Sequence, residues 1–184
     1  MTGSDPSASY AATQNARSPL KATASTSGRQ YKGKAVNIRD PLVRQIMKHE
    51  GSKIENGRHV PYRCPSGKIT IGYGRNLEDK KLSEVEALML LRNDISDARE
   101  DVMYCLSWYE IAPWTLCNPR MAVLIDMAFC HGRRRLMKYE RMFAAIKRED
   151  WDEAANELVD SQFGRTHLLR SGNLARQMRE GRYV

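Results

Sequence analysis

Apolar residues recur at helical spacing along most of the chain and alternate at strand spacing over one short stretch only. Leu42, Val43, Ile46 and Met47 follow Asp40-Pro41, an N-cap with proline at the first helical position, and Gly51 stops the run. A short helix is predicted there. Between residues 53 and 76 glycine, proline and β-formers gather. Pro65-Ser66-Gly67 makes a turn, and Ile69, Ile71 and Tyr73 alternate with Lys68, Thr70 and Gly72. That pattern predicts a small hairpin or three-stranded sheet with Thr70 on its polar face. After Leu82 the period is helical: Ser83 and Glu86 form a capping box ahead of Val85, Leu88, Leu91, Ile95, Ala98 and Val102. A connection over residues 108–117 leads to Asn118-Pro119 and the segment MAVLIDMAFC, apolar nearly all round and closed by Gly132, which predicts the central buried helix. Further amphipathic segments lie at residues 138–147, at 151–162 behind an Asp150/Glu153 cap pair, and at 173–180. The predicted fold class is α+β, mostly α: a short N-terminal helix and a small β-hairpin sheet packed on a C-terminal helical bundle.

Residues 1–37 depart from this texture, being rich in Ser, Thr, Ala, Gly and Lys/Arg with almost no large apolar side chains. Such a segment cannot bury enough surface to offset its ordering entropy, so it reads as a disordered cationic tail or linker ahead of one domain at 38–184. It holds five basic residues and one acid, half of the chain's net charge of +8. The folded part is therefore only mildly basic. The tail suits contact with an anionic envelope, and a specific nucleic-acid partner is not expected. No run approaches the roughly 18 apolar residues of a membrane span, and no secretory signal is evident. Four cysteines (Cys64, Cys105, Cys117 and Cys130) form no C-x-x-C pair, so they read as free thiols, the last three packed in or near apolar helical runs.

Glu50 carries the most chemical information. Leu42, Ile46 and Glu50 share an i, i+4, i+8 stripe, which places a carboxylate on the apolar side of the first helix at its C-terminal end. Partial burial and the negative helix terminus both favour the protonated form, as a general acid requires. The plainer reading is a helix-end glutamate turned to solvent. The small sheet predicted directly after Glu50 weighs against that, since a helix-end acid facing a sheet makes a cleft.

Glu50-Gly51, Tyr62-Arg63-Cys64, Gly67 and the run Lys68-Ile69-Thr70-Ile71-Gly72-Tyr73-Gly74-Arg75-Asn76-Leu77 resemble the active-site region of the bacteriophage-type lysozymes, the muramidase endolysins of tailed phages. Residues 119–132 look like the family's buried helix, and Trp151-Asp152-Glu153-Ala154-Ala155 is similar to its W-D-E-A-A segment. The likeness spans residues 38–184. It implies a catalytic set of a glutamate, an aspartate or cysteine, and a threonine, which fall on Glu50, Cys64 and Thr70. The Cys64 to Thr70 spacing agrees with the family. The Glu50 to Cys64 spacing is about five residues longer, which puts an insertion at residues 55–59 (ENGRH), in the loop entering the hairpin. Glu55, the one other carboxylate between Glu50 and Thr70, is therefore kept as the alternative to Cys64 as second acid.

On this resemblance Glu50 donates a proton to the leaving oxygen, Cys64 acts as base or nucleophile, and Thr70 positions water. Arg63 and Lys68 stand close enough in sequence to favour the thiolate of Cys64. Tyr62, Arg75, Cys130 and His131 are candidate substrate contacts. The expected substrate is bacterial peptidoglycan, cut at the β-1,4 bond between N-acetylmuramic acid and N-acetylglucosamine. The expected enzyme needs no cofactor and no metal and works as a monomer. It would be made in the host cytoplasm and reach the periplasmic wall through holin-type release or virion delivery. Cysteine at this position is also similar to endolysins whose thiol is masked by a disulfide until release; those carry a membrane anchor, so that control is not expected. A lytic transglycosylase, with one essential glutamate and an anhydro product, is the nearest alternative, and a non-catalytic basic wall-binding or nucleic-acid-binding protein is another.

His49-Glu50-Gly51-Ser52-Lys53 fails the H-E-x-x-H zinc pattern at its fifth residue. Arg133-Arg134-Arg135 reads as a solvated basic loop or a phosphate contact. Trp108, Tyr109 and Trp114 read as packing residues or as sugar platforms.

Overall fold

Residues 36–184 are described by a computed structural model. Of the predicted tail, residues 1–35 lie outside the described residues. By compactness the chain divides between His49 and Glu50. In the first unit, Asp40 caps α1 (Pro41–Glu50) by accepting the Leu42 N–H on Oδ1 at 2.9 Å, and Gly51 at φ +64° ends it. The better-covered side of α1 carries Val43 and Met47, while Leu42 and Ile46 are 61% and 47% exposed. The predicted Leu42, Ile46, Glu50 stripe thus lies one position round from the covered side. Glu50 is exposed, and the expected burial of its carboxylate is not met.

The second unit opens with two small sheets. β1 (Ile54–Glu55) and β2 (Arg58–His59) pair antiparallel, Ile54 opposite His59 and Glu55 opposite Arg58. The residues between them, Asn56 at φ +51° and Gly57 at φ +74°, are both left-handed, as a two-residue hairpin turn requires. The ENGRH insertion, expected as loop, is therefore most of a hairpin of its own. His59 meets Tyr73 edge-on at 5.1 Å, which fastens this hairpin to the neighbouring sheet.

That sheet runs β3-β4-β5, from β3 (Tyr62–Arg63), β4 (Ile69–Ile71) and β5 (Arg75–Asn76), all antiparallel. Thr70 lies between Tyr62 and Asn76 in register. The alternation predicted from sequence is present but its faces are exchanged: Thr70 is 3% exposed and Ile69 is 38% exposed. Thr70 can be buried because its hydroxyl has a partner, donating to the Lys68 carbonyl at 3.2 Å.

Ser83 opens α2 (Glu84–Trp108) through the predicted capping box. Glu86 Oε2 accepts from the Ser83 N–H and hydroxyl, both at 2.8 Å. The same carboxylate takes a bidentate grip from Arg75, with Nη1 to Oε1 at 3.0 Å and Nη2 to Oε2 at 2.9 Å, joining β5 to the start of α2. These contacts, first the Ser83 backbone N–H, then its hydroxyl and Arg75, hold the Glu86 carboxyl down at about 2. A depressed acid contributes stability that is complete above its unfolded value near 4.5 and is lost as pH falls toward 2. Glu86→Gln is expected to flatten the pH dependence of the urea midpoint between about pH 4.5 and 2. An unchanged slope in that window would show that the junction carries no proton linkage.

Helices fill the rest: α3 (Asn118–His131), α4 (Arg133–Leu136), α5 (Glu140–Lys147), α6 (Trp151–Asp160), α7 (Gln162–Thr166) and α8 (Leu168–Glu180). Asp150 caps α6 by accepting the Glu153 N–H at 3.0 Å, as predicted. The segment predicted at 151–162 breaks at Ser161, whose hydroxyl accepts the Gly164 N–H and starts α7. A Cβ on Gly164 would overlap the Val159 carbonyl, so only glycine lets the break turn so tightly. The basic triplet forms α4, where Arg133 bonds Asp101 at 2.7 Å and lies over Tyr104.

The core sits among these helices, with Val102, Leu106, Leu124, Met127, Leu136, Phe143, Ile146, Leu158 and Met178 fully covered. Tyr109 stacks on Phe143 at 4.5 Å, which is packing, whereas Trp108 and Trp114 stay exposed. Only the second half of the α2 stripe is buried. Ala98 and Val102 join the core, and Val85, Leu88, Leu91 and Ile95 remain exposed. Likewise α3 buries Val123, Leu124, Met127 and Ala128, but Phe129 is 45% exposed, so its apolar surface is not enclosed all round. All four cysteines are free thiols; Cys105 is buried and Cys130 half-buried, but Cys117, the N-cap of α3, is exposed. No helix among the described residues is long and apolar enough to cross a membrane.

Candidate active site

Cys64 follows β3 directly and opens the turn that returns the chain to β4. Its carbonyl accepts the Gly67 N–H at 2.8 Å and its N–H reaches the Lys68 carbonyl at 3.0 Å, so the turn is closed on both sides. Gly67 at φ +80° supplies the left-handed residue the turn needs. The thiol is half-buried, and its Sγ lies 2.9 Å from the Ser66 hydroxyl. This hydrogen bond is the chief reason the Cys64 thiol is held down at about 7, against desolvation, which raises it; backbone N–H groups of Lys68 and Ser66 and the Thr70 hydroxyl add to the lowering.

The expected charge assistance takes a different form. The Arg63 guanidinium donates across the turn to the Gly67 carbonyl at 2.7 Å. The Lys68 ammonium is bound to Asp79, which raises it above the usual lysine range, so Lys68 reaches Cys64 chiefly through its amide. Ser66 was not singled out by the sequence, and a hydroxyl two residues from a cysteine across a tight turn is the signal that marks it.

Thr70 stands on β4 beside this thiol, with one hydroxyl proton for two acceptors, the Lys68 carbonyl and the Cys64 sulfur. Its register partner Tyr62 is half-buried on the same face. Glu50 is brought to the next turn of the sheet. Its carboxyl lies against the α-carbon of Gly74, where a Cβ would stand 2.5 Å from Oε2 and 3.1 Å from Cδ. Glu50, Cys64, Thr70 and Tyr62 are thus all carried on or against β3, β4 and the two turns that flank β4.

The other sequence candidates are placed elsewhere. Glu55 is exposed on the separate β1-β2 hairpin, with its carboxylate 3.1 Å from the Lys53 ammonium. Arg75 has its guanidinium occupied by Glu86 and by the Lys80 and Lys81 carbonyls at 2.8 and 2.5 Å. That geometry makes Arg75 a fastener of the sheet to α2 rather than an open hand for substrate. Cys130 and His131 do come together, on the wall of a pocket of about 850 Å³ that also includes Arg135, Lys138, Glu157 and Phe163. None of the residues lining it belongs to the sheet. His131 packs edge-on to Phe163 at 4.6 Å and stacks with Tyr139, and burial first, then Arg135, pushes its imidazole below the usual value. Among the described residues no group of three or more His, Cys, Asp or Glu could hold a metal ion.

The family described as phage lysozyme matches residues 52–180. Cys64, Thr70, Gly74 and the Cys130-His131 pair fall inside that span, and Glu50 stands two residues before it. No curated protein matches the chain.

Proposed function

This chain belongs to the phage lysozyme family, a membership that points to a glycosidase acting on peptidoglycan, and on that premise we propose that it is a muramidase hydrolysing the β-1,4 bond between N-acetylmuramic acid and N-acetylglucosamine. The observation that carries the reading is the thiol of Cys64, held near neutrality by Ser66 and flanked by Thr70, on the sheet whose next turn receives the Glu50 carboxyl.

In this reading Glu50 gives its proton to the glycosidic oxygen as the bond to the anomeric carbon breaks. Water adds to that carbon, and its proton passes to the Cys64 thiolate. Thr70 keeps its proton throughout: its hydroxyl donates a hydrogen bond to the sulfur or to the Lys68 carbonyl, and its oxygen accepts one from the water. The product is a hydrated reducing end, and the proton taken by Cys64 is returned to solvent while Glu50 is reprotonated. Water attack assisted by a base corresponds to an inverting reaction. Cell lysis by a chain reaching the periplasmic wall, as a monomer and without cofactor, completes the proposal.

Mass analysis of the fragments released from purified peptidoglycan tests it. Hydrated muramic ends are expected. Anhydro ends would replace the hydrolase with a transglycosylase. An absence of release, with binding to wall polymer retained, would replace the enzyme with a binding module.

A further inference from the structure

Two glycines flank Tyr73 in the turn between β4 and β5, and they differ in one respect. Gly72 at φ +61° has no atom within 4 Å of where a Cβ would stand. Gly74 at φ +72° has the Glu50 side chain there, with Oε2 at 2.5 Å, Cδ at 3.1 Å and Cγ at 3.3 Å from the ideal Cβ position. Left-handed backbone explains a glycine at both places. Only at Gly74 does the missing side chain also make room for something, and among the described glycines it is the only one whose Cβ would press on a carboxylate.

We infer that Gly74 is a positioning residue: its bare α-carbon is the seat that holds the Glu50 carboxyl against the turn following Thr70. This rests on the reading of Glu50 as the acid. Three consecutive side-chain atoms lie within 3.3 Å of that position, so the end of the glutamate as a whole, and not one oxygen alone, takes up the space a side chain would fill. A methyl group at this position leaves the fold an inexpensive escape, because the far end of an exposed glutamate can swing away. The cost therefore falls on the acid's placement. A general acid must reach its oxygen at hydrogen-bond distance, and a displacement of about 1 Å can cost on the order of 10²-fold in rate.

Gly72→Ala and Gly74→Ala give the test, since both carry the same left-handed strain and only one meets Glu50. The two variants are expected to lose similar amounts of thermal stability. Gly74→Ala should have kcat roughly 10- to 100-fold below Gly72→Ala with little change in KM. In a Glu50→Asp background, where the shorter side chain no longer lies over the glycine, the additional loss on Gly74→Ala should largely disappear. Equal kcat for the two alanine variants, or an undiminished loss in the aspartate background, would overturn the inference. Activity retained by Glu50→Gln would instead overturn the role of Glu50, whatever the glycine variants show.

Discussion

Glu50→Gln is expected to lower kcat on peptidoglycan by about 10²- to 10⁴-fold, the usual contribution of a positioned general acid. Glutamine has the same length and fits the same seat over Gly74, so the side chain stays where the carboxyl was while losing the proton it must donate. Glu50 is exposed, so the substitution removes no core contact and the thermal midpoint should hold within a degree or two. The measurement is reducing-end release over time from purified wall, alongside a melting curve. Release at the wild-type rate would end the assignment of Glu50 and leave the chemistry of the sheet to Cys64 and Thr70. Because Glu50 precedes the span matched by the family, this one substitution carries more weight for the proposed mechanism than any inside it.

Helix starts were the most legible features, because they rest on local chemistry that tertiary packing does not override. Asp40-Pro41, Ser83 with Glu86, and Asp150 with Glu153 all cap the helices they announce. Alternation in the sheet was legible as well, but not which face turns inward. An apolar side chain is normally assigned to the covered face, and here a threonine whose hydroxyl finds the Lys68 carbonyl takes that place while Ile69 is exposed. The β1-β2 hairpin has a strong local turn signal in Asn56-Gly57, but counting residues 55–59 as an insertion treats them as added loop length and hides it.

In the site, Cys64 and Thr70 could be named from their motif, and five intervening residues bring them together across one turn. What sets the thiol's behaviour could not be named. Arg63 and Lys68 are the charges nearest to it in sequence, yet one bonds the Gly67 carbonyl and the other Asp79. Ser66 and backbone amides do the lowering instead, and hydrogen bonds made by a turn are visible only once the turn is built. The seat at Gly74 is hidden for a similar reason, since sequence shows that a glycine is present but not which side chain occupies the space it leaves.

The thiol makes the second large effect a matter of pH. If Cys64 takes the water's proton it must be a thiolate, and with the thiol held at about 7 the thiolate fraction grows as pH rises through neutrality. The sign is that of a base: kcat/KM should climb through a limb near pH 7 as the thiolate forms. Cys64→Ala should lose about 10²-fold or more at neutral pH together with that limb. Ser66→Ala, which removes the strongest hydrogen bond to sulfur, should move the limb upward toward the ordinary thiol value of 9 and weaken activity most below it. Cys64→Asp is the informative rescue. A carboxylate ionises well below a thiol, so an active aspartate variant should carry its base limb several pH units lower while releasing the same hydrated ends. A wild-type profile flat through pH 7, or a Cys64→Ala enzyme that keeps its activity, would remove the thiol from the reaction. A transglycosylase using Glu50 alone would then be the better account, because the anhydro product needs no group to activate water.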